Sequence, residues 1–117
     1  MEAVMTEFTE TSVLHLAPKD RKWERTGFEG VQICLLRSNE TGGGAALLRA
    51  ASGAGYPAHI HRGGEELLVI SGRVKIGERV LREGDYLWTP PGEIHDLECE
   101  EDALIFVNCP QGTRIVD

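Results

Sequence analysis

Four side chains in the middle of the sequence have the types and the spacing of a metal site. His59 and His61 stand one residue apart, Glu65 follows four residues after the second, and His95 lies in the stretch GDYLWTPPGEIHDLEC at 84–99. Side chains on a β-strand alternate with period two, so His59 and His61 share a face. Arg62-Gly63-Gly64 is a flexible step, after which LLVI reads as a new strand carrying Glu65 at its start. Three prospective ligands are thus expected to converge from two adjacent strands, with His95 as a fourth. Three neutral imidazoles and one carboxylate suit Fe, Mn, Ni, Co, Cu or Zn, and suit Mg and Ca less, because those ions prefer all-oxygen shells. The expectation is one divalent transition metal per chain. An octahedral ion held by four protein ligands keeps two positions open for a small-molecule ligand, whereas a tetrahedral Zn would be closed.

A His-x-His pair alone is a weak signal, since on a strand it is often a surface or packing feature; Glu65, His95 and the surrounding Gly and Pro spacing strengthen it. Glu66 is the rival of Glu65. Period two sends the two carboxylates to opposite faces, so only one can ligate, and Glu65 is the choice because its face continues through Leu67 and Val69.

The elements that must position these residues read as short strands. SVLHLAP (12–18) alternates as a strand, with His15 a surface or interface residue. VQICLLR (31–37) is dense in β-branched and apolar residues between turn formers. SNETGGG (38–44) reads as a hairpin loop, and no Lys-Ser/Thr follows its glycines to support a phosphate-binding reading. AALLRAAS (45–52) has helical propensity but is too short for a stable helix. From Glu66 onward LLVIS, RVKI, RVL, DYLWT, IHDLEC and ALIFVNC are separated by turn residues, and no segment sustains helical periodicity. Regular short strands of this kind form an antiparallel sandwich or barrel. A barrel turns alternate side chains inward, so ligands at i and i+2 of one strand, with one each from two neighbours, can ring a point.

The two ligand-bearing stretches resemble the paired motifs of the cupin family. Gly53, His59, His61, Glu65 and Gly72 match the first motif, and Gly84, Pro90, Gly92 and His95 match the second, in which Cys99 stands where the family has Asn. The adjacent Glu65 and Glu66 look most like the cupin domains of zinc anti-sigma factors and of small diketone-cleaving dioxygenases. The resemblance implies an all-β, double-stranded β-helix (jelly roll) of antiparallel strands, with 45–52 a strand leading into the metal motif. It implies His59, His61, Glu65 and His95 as ligands. Tyr56, Gln32, Arg49 and Trp88 are candidates for the cavity mouth, with core or dimer packing the stronger reading for Trp88. Cys99 could line the cavity, but packing is the stronger reading, since free Cys is among the most buried residues.

The whole chain, at 117 residues and 41% hydrophobic, has enough apolar sequence for one core. The expected organisation is a flexible N-terminal arm over 1–10 and a single domain over 11–117. A formal net charge of -7 argues against nucleic acid, because phosphate binding needs clustered Lys and Arg. No apolar run approaches the roughly 20 residues that span a bilayer, and the N-terminus lacks the pattern of a signal peptide, so no membrane role and a cytoplasmic location are expected. Cys34, Cys99 and Cys109 form no CxxC and suit reduced, buried thiols. Exposed edge strands favour a homodimer.

Three functions are open at this stage. The first, implied by the resemblance, is a metal-dependent dioxygenase that chelates a small dicarbonyl, enol or phenolic ketone; no catalytic side chain is assigned. A redox-neutral isomerase or lyase is its close variant. The second is a non-catalytic sensing module that works through a partner, and the third is a scaffold whose main role is oligomer formation.

Overall fold

Runs of alternating apolar residues broken by left-handed glycines form the strands of a curled antiparallel sheet. The computed structural model describes residues 2–3, as backbone, and 12–116. Its ten strands are β1 (Glu2–Ala3), β2 (Glu24–Arg25), β3 (Val31–Ser38), β4 (Gly44–Ala50), β5 (Gly55–Ile60), β6 (Glu65–Ile76), β7 (Arg79–Arg82), β8 (Tyr86–Thr89), β9 (His95–Cys109) and β10 (Thr113–Ile115). Every pairing is antiparallel. The architecture is the all-β jelly roll expected, and 44–50 is a strand rather than a helix. The arm expected over 1–10 lies outside the described residues, apart from the β1 backbone paired with β10.

Two long strands organise the curl. The stretches LLVIS and RVKI, expected as separate strands, are one strand, β6, and IHDLEC and ALIFVNC are likewise one, β9. The amino-terminal part of β9 lies between β5 and the far end of β6, and its carboxy-terminal part lies between β4 and the near end of β6. β6 and β9 therefore pass from one half of the curled sheet to the other. The sequence reads as broken there because both strands bulge. The register shifts between Val69 and Val74 on β6, opposite the acidic stretch 100–102. Gly72 takes φ +87 at this bulge, and a Cβ there would collide with the Asp102 carbonyl, so no other residue fits.

The concave face of the curl holds the core. Leu67, Val69, Val74, Ile76, Leu97, Cys99, Ala103, Ile105 and Val107 pack there from β6 and β9, and Ala46 joins them from β4. Alternate residues of the same strands face outward, so Leu68 and Ile70 remain about 40% exposed. Residues 12–17 are not a strand. They are irregular, with Val13 and His15 exposed, and end in a single 3-10 turn at Pro18–Asp20 whose Asp20 carboxylate accepts the Ala17 N–H at 2.9 Å. Alternation alone did not suffice here, because none of the described strands lies beside 12–17 to supply hydrogen bonds.

Candidate metal centre

The site begins with a bulge. On β5, Tyr56 pairs with Leu97 and His59 pairs with His95, so one extra residue is accommodated between Tyr56 and His59. Pro57, which has no N–H to give to the ladder, sits in that bulge. In a regular strand Tyr56 and His59 would face opposite ways; the bulge brings their rings to the same side, 5.1 Å apart between centroids. The Pro57 carbonyl lies 2.7 Å from His59 Nδ1 and accepts its proton, leaving Nε2 with a free lone pair.

His59, His61 and His95 then meet on the concave face. Their ring centroids are separated by 4.8 Å (His59 to His61), 4.7 Å (His59 to His95) and 5.3 Å (His61 to His95). One ring nitrogen from each lies within 4.8 Å of the others, a set able to hold a metal ion. Glu65 reaches the same point from the start of β6, with Oε2 3.3 Å from His61 Nε2 and Oε1 3.6 Å from His95 Nε2. The four sequence candidates are therefore together. Their supports differ from expectation in one respect: β5 and β6 are consecutive in sequence but not hydrogen-bonded to one another, and β9 pairs with both. The link between them is the tight turn at 61–64, where the Gly64 N–H bonds the His61 carbonyl at 3.1 Å. Gly64 has φ +80, and a Cβ there would strike the Trp88 ring and press on the Thr89 carbonyl, so this turn needs glycine.

Burial sets the charge states. Desolvation pushes His61 down to about 3, with help from the neighbouring His59 and His95 rings, and pushes His95 down to about 4. His59 is also lowered by burial, against the opposing pull of the Pro57 carbonyl. All three imidazoles are thus neutral near pH 7, the form that binds metals. Desolvation raises Glu65 to about 7, against the opposing pull of the hydrogen bond from the Cys109 thiol.

The donor set fits a cation. His61 is 2% exposed, and its Nε2 is buried with no hydrogen-bond partner among the described residues, although Glu65 Oε2 is only 3.3 Å away. Its Nδ1 lies 3.0 Å from Thr113 Oγ1, which can take the ring proton and leave Nε2 as a lone pair facing a carboxylate oxygen. Two acceptors at that distance repel unless a proton or a metal ion lies between them, and a buried polar atom left unpaired is costly. A transition-metal ion satisfies both.

A cavity of about 250 Å³ opens beside these donors, walled mainly by Ile33, Leu48, Leu67, Ile105 and Val107, with Tyr56 at its side and Glu24 and Arg25 toward its mouth. Phe28 packs edge-on against Tyr56 at 4.6 Å and holds that ring. Tyr56 is the mouth candidate the structure places at the cavity. Arg49 and Gln32 face outward instead: Arg49 Nε donates to Gln32 Oε1 at 2.6 Å and its guanidinium lies over Trp23. Trp88 pairs across from Glu66 on the outer side and is 50% exposed. Cys99 is packing, as its sequence context favoured; its thiol donates to the Glu101 carbonyl at 2.9 Å. Cys109 and Thr113, which sequence reading did not single out for the site, both border the cavity. The signal for Cys109 was the alternation of Ala103, Ile105, Val107 and Cys109.

This fold is that of a cupin, and its inward histidines, with the carboxylate beside them, are a group able to hold a metal ion. More particularly, the family described as ChrR cupin-like domain matches residues 11–112, and the chain belongs to that family. It is 32% identical to the DNA damage-repair/toleration protein DRT102 of Arabidopsis thaliana in a match that covers 86% of this chain, and it spans about a third (34%) of that relative. Among solved structures it is similar to the complex of Rhodobacter sphaeroides SigE with the anti-sigma ChrR (TM-score 0.68, 26% identity, 80% of this chain and 51% of the other). It also shares its fold with the acetylacetone dioxygenase of Acinetobacter johnsonii (TM-score 0.70, 17% identity, 98% of this chain and 80% of the other).

Proposed function

We propose that the chain is a mononuclear metal cupin, with His59, His61, Glu65 and His95 as ligands, that takes a small dicarbonyl or other oxygen-rich molecule into its cavity and acts on it as a dioxygenase. The observation that carries this reading is the join of two unlike surfaces: a cluster of neutral imidazoles with a carboxylate, set in the wall of a cavity lined mostly by apolar side chains. At about 250 Å³ the cavity lies below the roughly 300–1,000 Å³ of drug-sized sites, which limits the ligand to a small molecule. The bound ion would supply Lewis acidity toward two ligand oxygens and, if it is iron, access to O2 chemistry.

The chain's own residues would do the rest. Pro57 and Thr113 hold the outer ring nitrogens of His59 and His61, fixing tautomer and aim, as carbonyl and hydroxyl partners do for metal-binding histidines. The Tyr56 phenol, raised above its ordinary range by burial, stays protonated and can donate to a ligand oxygen. Leu67, Ile105 and Val107 exclude water, which strengthens each polar contact in the cavity.

A second reading, a metal-bound regulatory module, is favoured by the family match and by the 26% identity to the SigE–ChrR complex. Elemental analysis of protein purified without chelators or nickel resin, followed by oxygen uptake over a panel of dicarbonyls and phenolic ketones, separates the two. Iron near one per chain with ligand-dependent uptake supports catalysis; bound metal with uptake at background and a stoichiometric protein partner in a native pull-down supports regulation.

The same proposal includes a homodimer and a cytoplasmic setting. Leu68, Ile70, Tyr86 and Trp88 form an exposed apolar row on the outer face of β6 and β8, the surface a second copy would cover. Three free, buried thiols suit a reducing compartment. A monomeric mass by light scattering at micromolar concentration would remove the dimer from the proposal.

A further inference from the structure

Cys109 occupies a position that packing alone does not account for. It ends the inward row of β9, is 6% exposed, and directs its thiol at Glu65, with Sγ 3.5 Å from Oε2. Cys99, by contrast, turns its thiol to backbone carbonyls. One donor atom each from His61, Glu65 and Cys109 lie within 4.8 Å of one another, and all three residues are buried. Two of the separations are 3.3 Å (His61 Nε2 to Glu65 Oε2) and 3.5 Å (Cys109 Sγ to Glu65 Oε2), a spacing that donors with bonds of roughly 2.0–2.3 Å to one ion can take.

The second, independent observation is His61. Its Nε2 is buried without a hydrogen-bond partner and belongs to both donor groups, the one with His59 and His95 and the one with Glu65 and Cys109. Resting on the reading that the cavity binds a metal, we propose that Cys109 is a further ligand, whose thiolate joins His61 and Glu65 in a donor set overlapping the three-histidine set at His61. When it binds, the S–H bond breaks, the proton leaves to solvent, and the sulfur electron pair forms the bond to the ion; no oxidation state changes. A thiolate in the set biases the cavity toward softer ions such as Zn and Co and away from Mn. It also takes a coordination position that would otherwise be open to a small ligand. With Cys109 bound beside the other four donors, an octahedral ion would keep one open position instead of two.

The test is the absorption spectrum of the full chain titrated with cobalt(II), compared with Cys109→Ser, Cys34→Ala and Cys99→Ala. The expected result is a near-ultraviolet thiolate-to-cobalt charge-transfer band in the native protein, kept in the Cys34 and Cys99 variants and lost in Cys109→Ser while cobalt still binds. Zinc affinity in Cys109→Ser is expected to fall by about 10–100-fold, with manganese affinity unchanged. Stoichiometric cobalt with no such band in the native protein would overturn the role of Cys109 and leave the metal reading standing. A band that survives in Cys109→Ser would do the same. No cobalt bound to the native protein would overturn the metal reading itself, and this inference with it. If Cys109→Ser fails to fold by circular dichroism, the native spectrum and the two other cysteine variants still decide: a band that disappears in either of them rules Cys109 out.

Discussion

Glu65 and Glu66 are consecutive carboxylates on β6, and the pleat sends them into different media. Glu65 is 5% exposed, faces His61 and His95, and is held near 7 by burial. Glu66 lies outside, accepting the Tyr86 hydroxyl at 2.9 Å and an amide N–H of Asn108 at 3.5 Å. The contrast repeats along the strand: Leu67 and Val69 are core, while Leu68 and Ile70 are surface. Identical chemistry thus becomes a site or a rim according to the parity of its position, since a one-residue slip exchanges the two faces.

The largest expected effect comes from emptying the inner row of ligands. His61→Ala or Glu65→Gln should weaken metal binding by at least about 100-fold, whereas Glu66→Gln should leave it unchanged, as read by elemental analysis after dialysis against a metal buffer. Equal losses for the two glutamines would break the comparison. Next comes packing. Leu67→Ala should destabilise the fold by about 2–5 kcal/mol in urea unfolding, through the cavity it leaves, and Leu68→Ala by about 1 kcal/mol or less.

The pH dependence of the metal-free protein sharpens the comparison further. Glu65 is raised from its ordinary value of 4.5 to about 7, so its protonated form is favoured in the fold. Its contribution to stability is complete below about 4.5 and is lost as pH rises through about 7. His61 and His95 are lowered from 6.5 to about 3 and about 4, so theirs is complete above 6.5 and is lost as pH falls toward those values. Metal-free protein should therefore lose stability in both directions. Glu65→Gln should remove the alkaline loss, gaining on the order of 1–3 kcal/mol at pH 8 relative to native and little at pH 5. Thermal melts at the two pH values check this; a gain of the same size at pH 5 would contradict it. The smallest effect is at the rim, where Tyr86→Phe should leave the thermal melt indistinguishable from native.

Much of this was legible in the residues. The alternation of β6 placed Glu65 inside and Glu66 outside, the motif spacing brought in His95, and short strands between turn residues pointed to the jelly roll. Other features were not legible. Residues 12–17 alternate like a strand and are not one, because a strand is completed by a neighbour and none of the described strands lies beside them. Arg49 and Gln32 were candidates for the cavity, but their pair faces outward, and only the register of β3 against β4 and of β4 against β9 shows it.

What the sequence by itself determined is the identity and local parity of the inner residues, because period two and turn chemistry are properties of a few neighbouring positions. The tertiary structure alone decided what stands beside them. The bulge at Pro57 reverses the parity of Tyr56 relative to His59 and puts both at the cavity. The length of β9 carries His95 at one end and Cys109 at the other past the same core, joining residues that no local pattern relates. Bulges and long-range register depend on contacts distant in the chain, so they appear only once the sheet has closed on itself.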